Sequence, residues 1–430
     1  MLRAFFIAAS FVVLAPLSYA GSIDVATIDG RIERLMDERG MVGLAVVIIE
    51  DGQFVHVKGY GETLAESGDK VTEETVFRWA SLSKSVAATL VTKLDEDGAL
   101  SLSASAANYS QSLHLPSHGE RQASVQNVLS HQLGIVRNAF DNRLEGGVNA
   151  ARIRADLHKL PIECEIGTCH AYQNVAYDSA SEMVAKVTGE SYQLAVKHHL
   201  FGPLGMGSAS LTLQELQESP RWARPHNGRG FNVYRKMRDN YYRVPAAGGM
   251  NSNITDLGIW MRAQMGEMGA VISDNVREQT QRGRVGTTRE TNRVRRYFPR
   301  LSDAQYGLGW RVYDYAGHKV VGHRGAVNGY RAMILFDPLT RDGVAALWNS
   351  GSNQPVGIQM EVMDMAYGLK AQDWLYLGAG PNLAKIRAQH PEVVQLTSAP
   401  FPRLSPYLDR DNLPAGHGVT HYEVKACFGL

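Results

Sequence analysis

Ser81 and Lys84 stand three residues apart in FRWASLSKSVAATL, residues 77–90, where a polar stretch gives way to an apolar helical pattern. Residues at i and i+3 share one helical face, so the amine of Lys84 can lie against the hydroxyl of Ser81. A serine hydroxyl is a poor nucleophile until a neighbouring base or cation changes the proton affinities around it. The pair therefore points to nucleophilic attack on a carbonyl. Backbone N–H groups of the first helical turn would face the anion that develops beside the serine. S-x-x-K alone is weak, because a chain of this length holds about one or two by chance at average residue usage. A second copy, from Ser67 to Lys70, has no apolar helix after it and reads as a loop.

Two more short motifs supply what that pair lacks. Tyr172-Gln173-Asn174 leads into a helical pattern, and His323-Arg324-Gly325 ends an apolar strand pattern. In this order the three resemble the S-x-x-K, Y-x-N and K-T-G or H-x-G elements of the serine β-lactamase and penicillin-binding-protein superfamily. The likeness is to class C β-lactamases, DD-peptidases and their esterase and aminopeptidase relatives. VLSHQLGI at 128–135, FGPLGM at 201–206, PAAGGMNSN from 245 and YGLGW at 306–310 follow in the family's order, so the resemblance spans about residues 23–369.

That resemblance implies roles. Ser81 is the acylated nucleophile, and Tyr172 with Lys84 moves its proton. A free phenol titrates near 10, so a base role for Tyr172 needs the Lys84 cation beside it. Asn174 is expected to hydrogen-bond the substrate amide. The oxyanion is expected between the backbone N–H of Ser81 and that of Ala326, which follows Gly325. His323 stands where the family often has lysine, to polarise Tyr172 or bind substrate, with only a partial charge near its ordinary pKa of about 6.5. Arg324 replaces the threonine or serine whose hydroxyl helps hold a substrate carboxylate. Strand alternation points Arg324 away from His323, unless a bulge turns its guanidinium toward a carboxylate. His131 reads as a structural loop histidine, followed by Gln132-Leu133 in place of the usual Thr-Ser. Ser273-Asp274-Asn275 spells the S-D-N of class A enzymes but opens a polar helix, where Ser273 reads as an N-cap.

The elements around these motifs alternate in type. A helix is expected over 25–38, then strands at 44–49 and 54–57 joined at Asp51-Gly52, a strong hairpin signal. Strand patterns return at 310–313, 319–321, 332–336 and 344–348, and helices at 178–187 and 192–200 lie between. This predicts an α/β (α+β) fold, a largely antiparallel sheet flanked by helices with an inserted helical subdomain. The expected boundaries are 21–99 with 244–370 for the sheet domain, 100–243 for the helical subdomain, and 371–430 for a C-terminal extension of uncertain structure.

Composition is that of a globular enzyme, 44% hydrophobic and 20% charged over 430 residues with net charge +1, so no global field favours nucleic acid. Arg3, an apolar run over 4–17 and Ser18-Tyr19-Ala20 form a secretory signal pattern with cleavage expected after Ala20; the run is short for a membrane span. Export to the periplasm or medium allows Cys164 and Cys169 to close a small disulfide loop. A zinc site on those two and His170 is the rival, though no fourth ligand is spaced for it. Cys427 has no evident partner. Arginine-rich stretches at 221–243 and 282–300 read as solvated surface or as attraction for acidic substrates. The expectation is an exported serine hydrolase needing no metal or cofactor, acting on a small molecule or a peptidoglycan-like peptide. A true class C-like β-lactamase and a non-catalytic cell-wall binding protein are the alternatives. A Ser-His-Asp esterase is disfavoured, since no G-x-S-x-G elbow is present.

Overall fold

A computed structural model of the chain describes residues 22–227 and 233–378. The expected signal sequence, Cys427 and most of the 371–430 extension lie outside the described residues. The strands are β1 (Gly43–Glu50), β2 (Gln53–Gly61), β3 (Phe77–Arg78), β4 (His226–Asn227), β5 (Val233–Tyr234) and β6 (Asn251–Ser252), then β7 (Val285–Gly286), β8 (Leu301–Tyr306), β9 (Arg311–Tyr315), β10 (His318–Val327), β11 (Tyr330–Phe336) and β12 (Gly343–Trp348).

Asp51 and Gly52 make the expected hairpin. Glu50 pairs with Gln53, and the two turn residues have φ of 44° and 73°, as a type I′ turn requires. Eight strands then form one antiparallel sheet in the order β2-β1-β12-β11-β10-β9-β8-β7. Pairing of β1 with β12 joins the two ends of the described chain, so the sheet brackets everything between them. β3 and β6 pair separately, Phe77 with Ser252 and Arg78 with Asn251.

Period-two alternation splits β1 between two cores. Ala45, Val47 and Ile49 face a core that also holds Val86, Leu90 and Val91. Leu44, Val46 and Ile48 face the other, under helix α1 (Val25–Met36) and the Val356–Ala366 helix. Helix α2 (Ser83–Glu96) is buried on nearly every side of its first three turns, which makes it the axis of the larger core. The described residues of 100–243 add no strand to the main sheet; Val125, Val128, Val184 and Leu200 from this stretch pack into the same core as α2. The helix expected over 178–187 runs Ser179–Thr188, whereas the one expected over 192–200 changes character. It is α-helical over Tyr192–Val196 and then widens into a π turn over Lys197–Phe201, a local change of hydrogen-bond register that apolar periodicity does not reveal.

Candidate active site

Ser81 lies in a tight 3-10 turn, Ala80–Leu82, between β3 and α2. Ala80 has φ of 49°, a left-handed conformation unusual for a residue with a side chain. The surroundings hold it there. Trp79 N donates to Met250 O at 2.9 Å, Ser83 Oγ donates to Ala80 O at 2.6 Å, and Met250 N donates to Ser83 Oγ at 3.0 Å. From the other side β10 closes in at Gly325, where a Cβ would collide with the Trp79 carbonyl oxygen and stand 3.2 Å from Ser81 N. Only glycine lets the third motif approach Ser81 this closely. Ala326, the next residue, is exposed.

Lys84, the second residue of α2, is fully buried. Its Nζ donates to Asn174 Oδ1 at 2.7 Å and to Ala247 O at 2.9 Å. An ammonium has three donors, so one N–H is left over from these two bonds. The cation lies 4.6 Å from the Tyr172 ring centroid and 5.4 Å from that of Tyr177. Tyr177 Oη donates to the Lys84 carbonyl at 2.7 Å. The YGLGW segment braces the same turn, since a Cβ on Gly309 (φ 70°) would collide with the Lys84 carbonyl oxygen.

Two histidines flank Tyr172, and a third tyrosine joins them. Gln173 N donates to His131 Nδ1 at 3.1 Å, which places the His131 proton on Nε2, 3.2 Å from Tyr306 Oη. That hydroxyl then donates to His323 Nε2 at 3.0 Å, and His323 Nδ1–H donates to the Arg324 carbonyl at 2.9 Å. Every partner in this chain is satisfied with both imidazoles neutral. Burial, then the neighbouring positive groups, push both histidines well below their ordinary pKa; for His131 these include His170 and Lys84, for His323 Arg311 and Lys84. The partial charge expected on His323 is therefore corrected to none. His323 is 2% exposed and engages Tyr306; its ring centroid is 6.3 Å from that of Tyr172. His131 packs closer, at 4.4 Å from the Tyr172 ring.

Arg324 follows strand alternation, and β10 pairs with β11 from Val321 to Val327 without a register shift. Its guanidinium turns to the face of Tyr297, 5.7 Å from that ring centroid. Glu290 gathers the charges there. It pairs with Arg311 at 3.1 Å and Arg293 at 3.2 Å and accepts from Tyr313 Oη at 3.0 Å. Burial alone would raise this carboxyl, but Arg311, Arg324 and Arg293 pull it down to about 2. Part of the arginine-rich stretch at 282–300 is thus internally paired.

Cys164 and Cys169 form a disulfide with Cα atoms 6.4 Å apart, within the usual span. The closed loop is laced to the His131 segment: Glu163 N donates to Gly134 O, Gly167 N to Gln132 O and Ala171 N to His131 O. It therefore anchors the backbone that delivers Tyr172. Among the described residues no group of three or more His, Cys, Asp or Glu is placed to hold a metal. Ser273 caps the Asp274–Gln281 helix and donates to Glu96 at 2.8 Å, at the end of α2 away from Ser81. Ser67 donates to Leu64 O in a turn. Neither decoy joins the site.

Sequence reasoning missed Asp141, whose Oδ2 accepts from Asn174 Nδ2 at 2.6 Å. Tyr306 likewise carries no role that the sequence assigns. The hydroxyl inside an otherwise apolar and glycine-rich YGLGW run was the available signal for Tyr306; Asp141 lies in an irregular stretch with none.

The Beta-lactamase family pattern matches residues 28–362. An unguisins hydrolase of Aspergillus violaceofuscus (strain CBS 115571) is 26% identical over 396 residues, covering 81% of this chain and 67% of that protein. Penicillin-binding protein 4 of Amycolatopsis lactamdurans is 25% identical over 324 residues, 75% of this chain and 84% of that protein. The chain spans 58% to 67% of the length of the unguisins hydrolases and of a Staphylococcus aureus flp protein that it matches. Among solved structures, the octameric penicillin-binding protein homologue from Pyrococcus abyssi superposes with a TM-score of 0.72 at 26% identity, covering 81% of this chain and 78% of that one. A class C β-lactamase variant superposes at 0.63 and 22% identity, over 79% of this chain and 96% of the other, a likeness of fold. With the pattern matched over most of its length and the same sheet-and-helix frame around Ser81, this chain belongs to the Beta-lactamase family.

Proposed function

We propose that the chain is an exported serine hydrolase that works through an acyl-enzyme at Ser81, on amide, lactam or ester carbonyls, with small peptide-like amides and esters favoured over β-lactams. The observation that carries this is the buried Lys84, held by Asn174 and Ala247 O within 4.6 Å of the Tyr172 ring. In the first half-reaction Ser81 Oγ bonds to the carbonyl carbon and its proton passes to Tyr172, beside which Lys84 Nζ lies. The bond to the leaving group then breaks and the leaving group takes that proton. In the second half-reaction water bonds to the acyl carbon as Tyr172 accepts its proton, and the bond to Ser81 Oγ then breaks as Tyr172 returns that proton to Oγ, freeing the acid product. Backbone N–H groups at Ser81 and Ala326 would face the oxyanion, a donor pair worth about 3–4 kcal/mol per lost member in other hydrolases.

Support for the substrate preference comes from the third motif, where a neutral, buried His323 replaces a permanently charged lysine. A relative bearing the name unguisins hydrolase agrees with hydrolysis. Support for export comes from the leader pattern at 1–20 and from the disulfide, a bond that persists in oxidising compartments. A non-catalytic binding protein would not need Lys84 buried against Tyr172. A fluorophosphonate should label Ser81, located by peptide mapping; labelling that survives Ser81→Ala removes the reading. Tyr172→Phe and Lys84→Ala should each slow acylation strongly, and the double variant should be little worse than either, as for residues acting as one unit.

A further inference from the structure

Asp141 opens the Asp141–Glu145 helix after a loop that is tied to the second motif. Asn138 N donates to Tyr172 O at 2.7 Å, Ala139 N to Gln173 Oε1 at 3.2 Å, and Gln173 Nε2 to Val136 O at 2.7 Å. Asp141 N in turn donates to Asn138 O at 3.1 Å. The carboxylate is thus fixed relative to Asn174 by backbone contacts, independently of its own side-chain bond.

An asparagine amide can sit either way round unless its neighbours differ. Here one neighbour is the Lys84 ammonium, which can only donate, at 2.7 Å from Oδ1, and the other is the Asp141 carboxylate, 2.6 Å from Nδ2. The carboxylate decides the orientation and presents Oδ1 to the lysine. The direct acceptors of Lys84 are neutral, Asn174 Oδ1 and Ala247 O, and Asp141 is the carboxylate at the far end of that relay. The second oxygen, Oδ1 of Asp141, is buried without a hydrogen-bond partner, an arrangement that packing alone would not favour.

We propose that Asp141 is a positioning residue for acylation, locking the Asn174 amide and supplying through it the counter-charge of Lys84. The proposal rests on the serine-hydrolase reading. It has a pH signature. Burial is the largest influence on Asp141, and with Glu145 it outweighs Asn174, Lys84 and Arg137, raising the carboxyl to about 6. The groups facing it are Lys84 from α2, Arg137 from the preceding loop, Glu145 on its own helix, and Tyr241, which donates to Glu145 Oε1 at 3.0 Å. His131 and His323 are pushed well below 6.5 and His170 to about 4, so they titrate at lower pH. Protonation of Asp141 removes the charged acceptor of Nδ2, and acylation should fall as pH drops through about 6.

The test is the rate of Ser81 labelling by a fluorophosphonate between about pH 4.5 and 8, on the full chain. Labelling of the unaltered protein should decline below about pH 6. Asp141→Asn should label about 5–15-fold more slowly at pH 7.5, the difference between a hydrogen bond to a charged acceptor and one to a neutral acceptor, and lose that decline. A flat profile for the unaltered protein, which needs no variant, overturns the proposal; so does Asp141→Asn labelling at the ordinary rate. Ser81→Ala in the same series separates the two readings. Labelling that survives it removes the hydrolase itself, whereas labelling lost there but normal in Asp141→Asn removes only the positioning role.

Discussion

Asp141→Asn should make the folded protein more stable at neutral pH, even as it is expected to slow acylation. The carboxyl is raised from an ordinary value near 3.9 to about 6. A folded-state value above the unfolded one means that the fold prefers the protonated acid. The associated stability is fully present below about pH 4 and is lost as pH rises through about 6. At about 1.4 kcal/mol per tenfold change in proton affinity, the ionised group destabilises the fold by up to ~3 kcal/mol above that window. Partial solvent contact of the residue lowers the expected gain to about 1–3 kcal/mol. Asparagine keeps an acceptor oxygen for Asn174 Nδ2, so the replacement removes charge with little change of shape. Urea unfolding followed by tryptophan fluorescence at several pH values measures the difference directly. The variant should match the unaltered protein near pH 4 and exceed it progressively up to about pH 6.5. A variant that is less stable at pH 7.5, or a difference that does not change with pH, would refute the electrostatic reasoning.

Tyr306→Phe removes the hydroxyl between His131 Nε2 and His323 Nε2, leaving a buried donor and a buried acceptor unpaired at about 1–3 kcal/mol each. Urea unfolding should show a loss of about 2–5 kcal/mol with an unchanged slope, and a loss under about 0.5 kcal/mol would mean that the hydroxyl does not bridge the rings. Arg324→Thr should leave β-lactam acylation unchanged, because position 324 faces Tyr297 and the Glu290 cluster. A rise of about tenfold or more in nitrocefin acylation would put this side chain on the substrate face instead.

Much of this arrangement is legible in the chain because its signals are local. Ser81 and Lys84 announce themselves by helical spacing, and the Asp51-Gly52 turn by the φ values it needs. The strands at β1, β9, β10, β11 and β12 show as apolar or alternating runs. What escapes is short or tertiary. The pairs β3 with β6 and β7 with β8 each involve a strand of two residues, too brief for any periodicity to register. Asp141 matters through a contact 33 residues away in sequence, and Tyr306 through contacts 175 and 17 residues away. Nothing in their neighbours' identities encodes those separations. His131 was legible as structural, and its role in supporting the Tyr172 ring follows only from the packing.

The charge distribution around Ser81 bears on what the site can accept. Lys84 is the cation beside Tyr172, and Asp141 answers it through one amide. His131 and His323 are neutral, and Arg311 is paired with Glu290. On the proposed reading, the oxyanion that a neutral ester or amide develops would fall to backbone donors. A substrate that brings a carboxylate to the third motif finds His323 uncharged and Arg324 turned to the other face of β10. A carboxylate at the third motif would find no charge on His323, so anionic β-lactams should be acylated more slowly than neutral esters for a reason separate from the chemistry proposed at Ser81. Discrimination of this kind resides in binding of the anion rather than in the nucleophile, and it predicts that neutral esters and the anionic lactams diverge in kcat/KM while depending equally on Ser81, Lys84 and Tyr172.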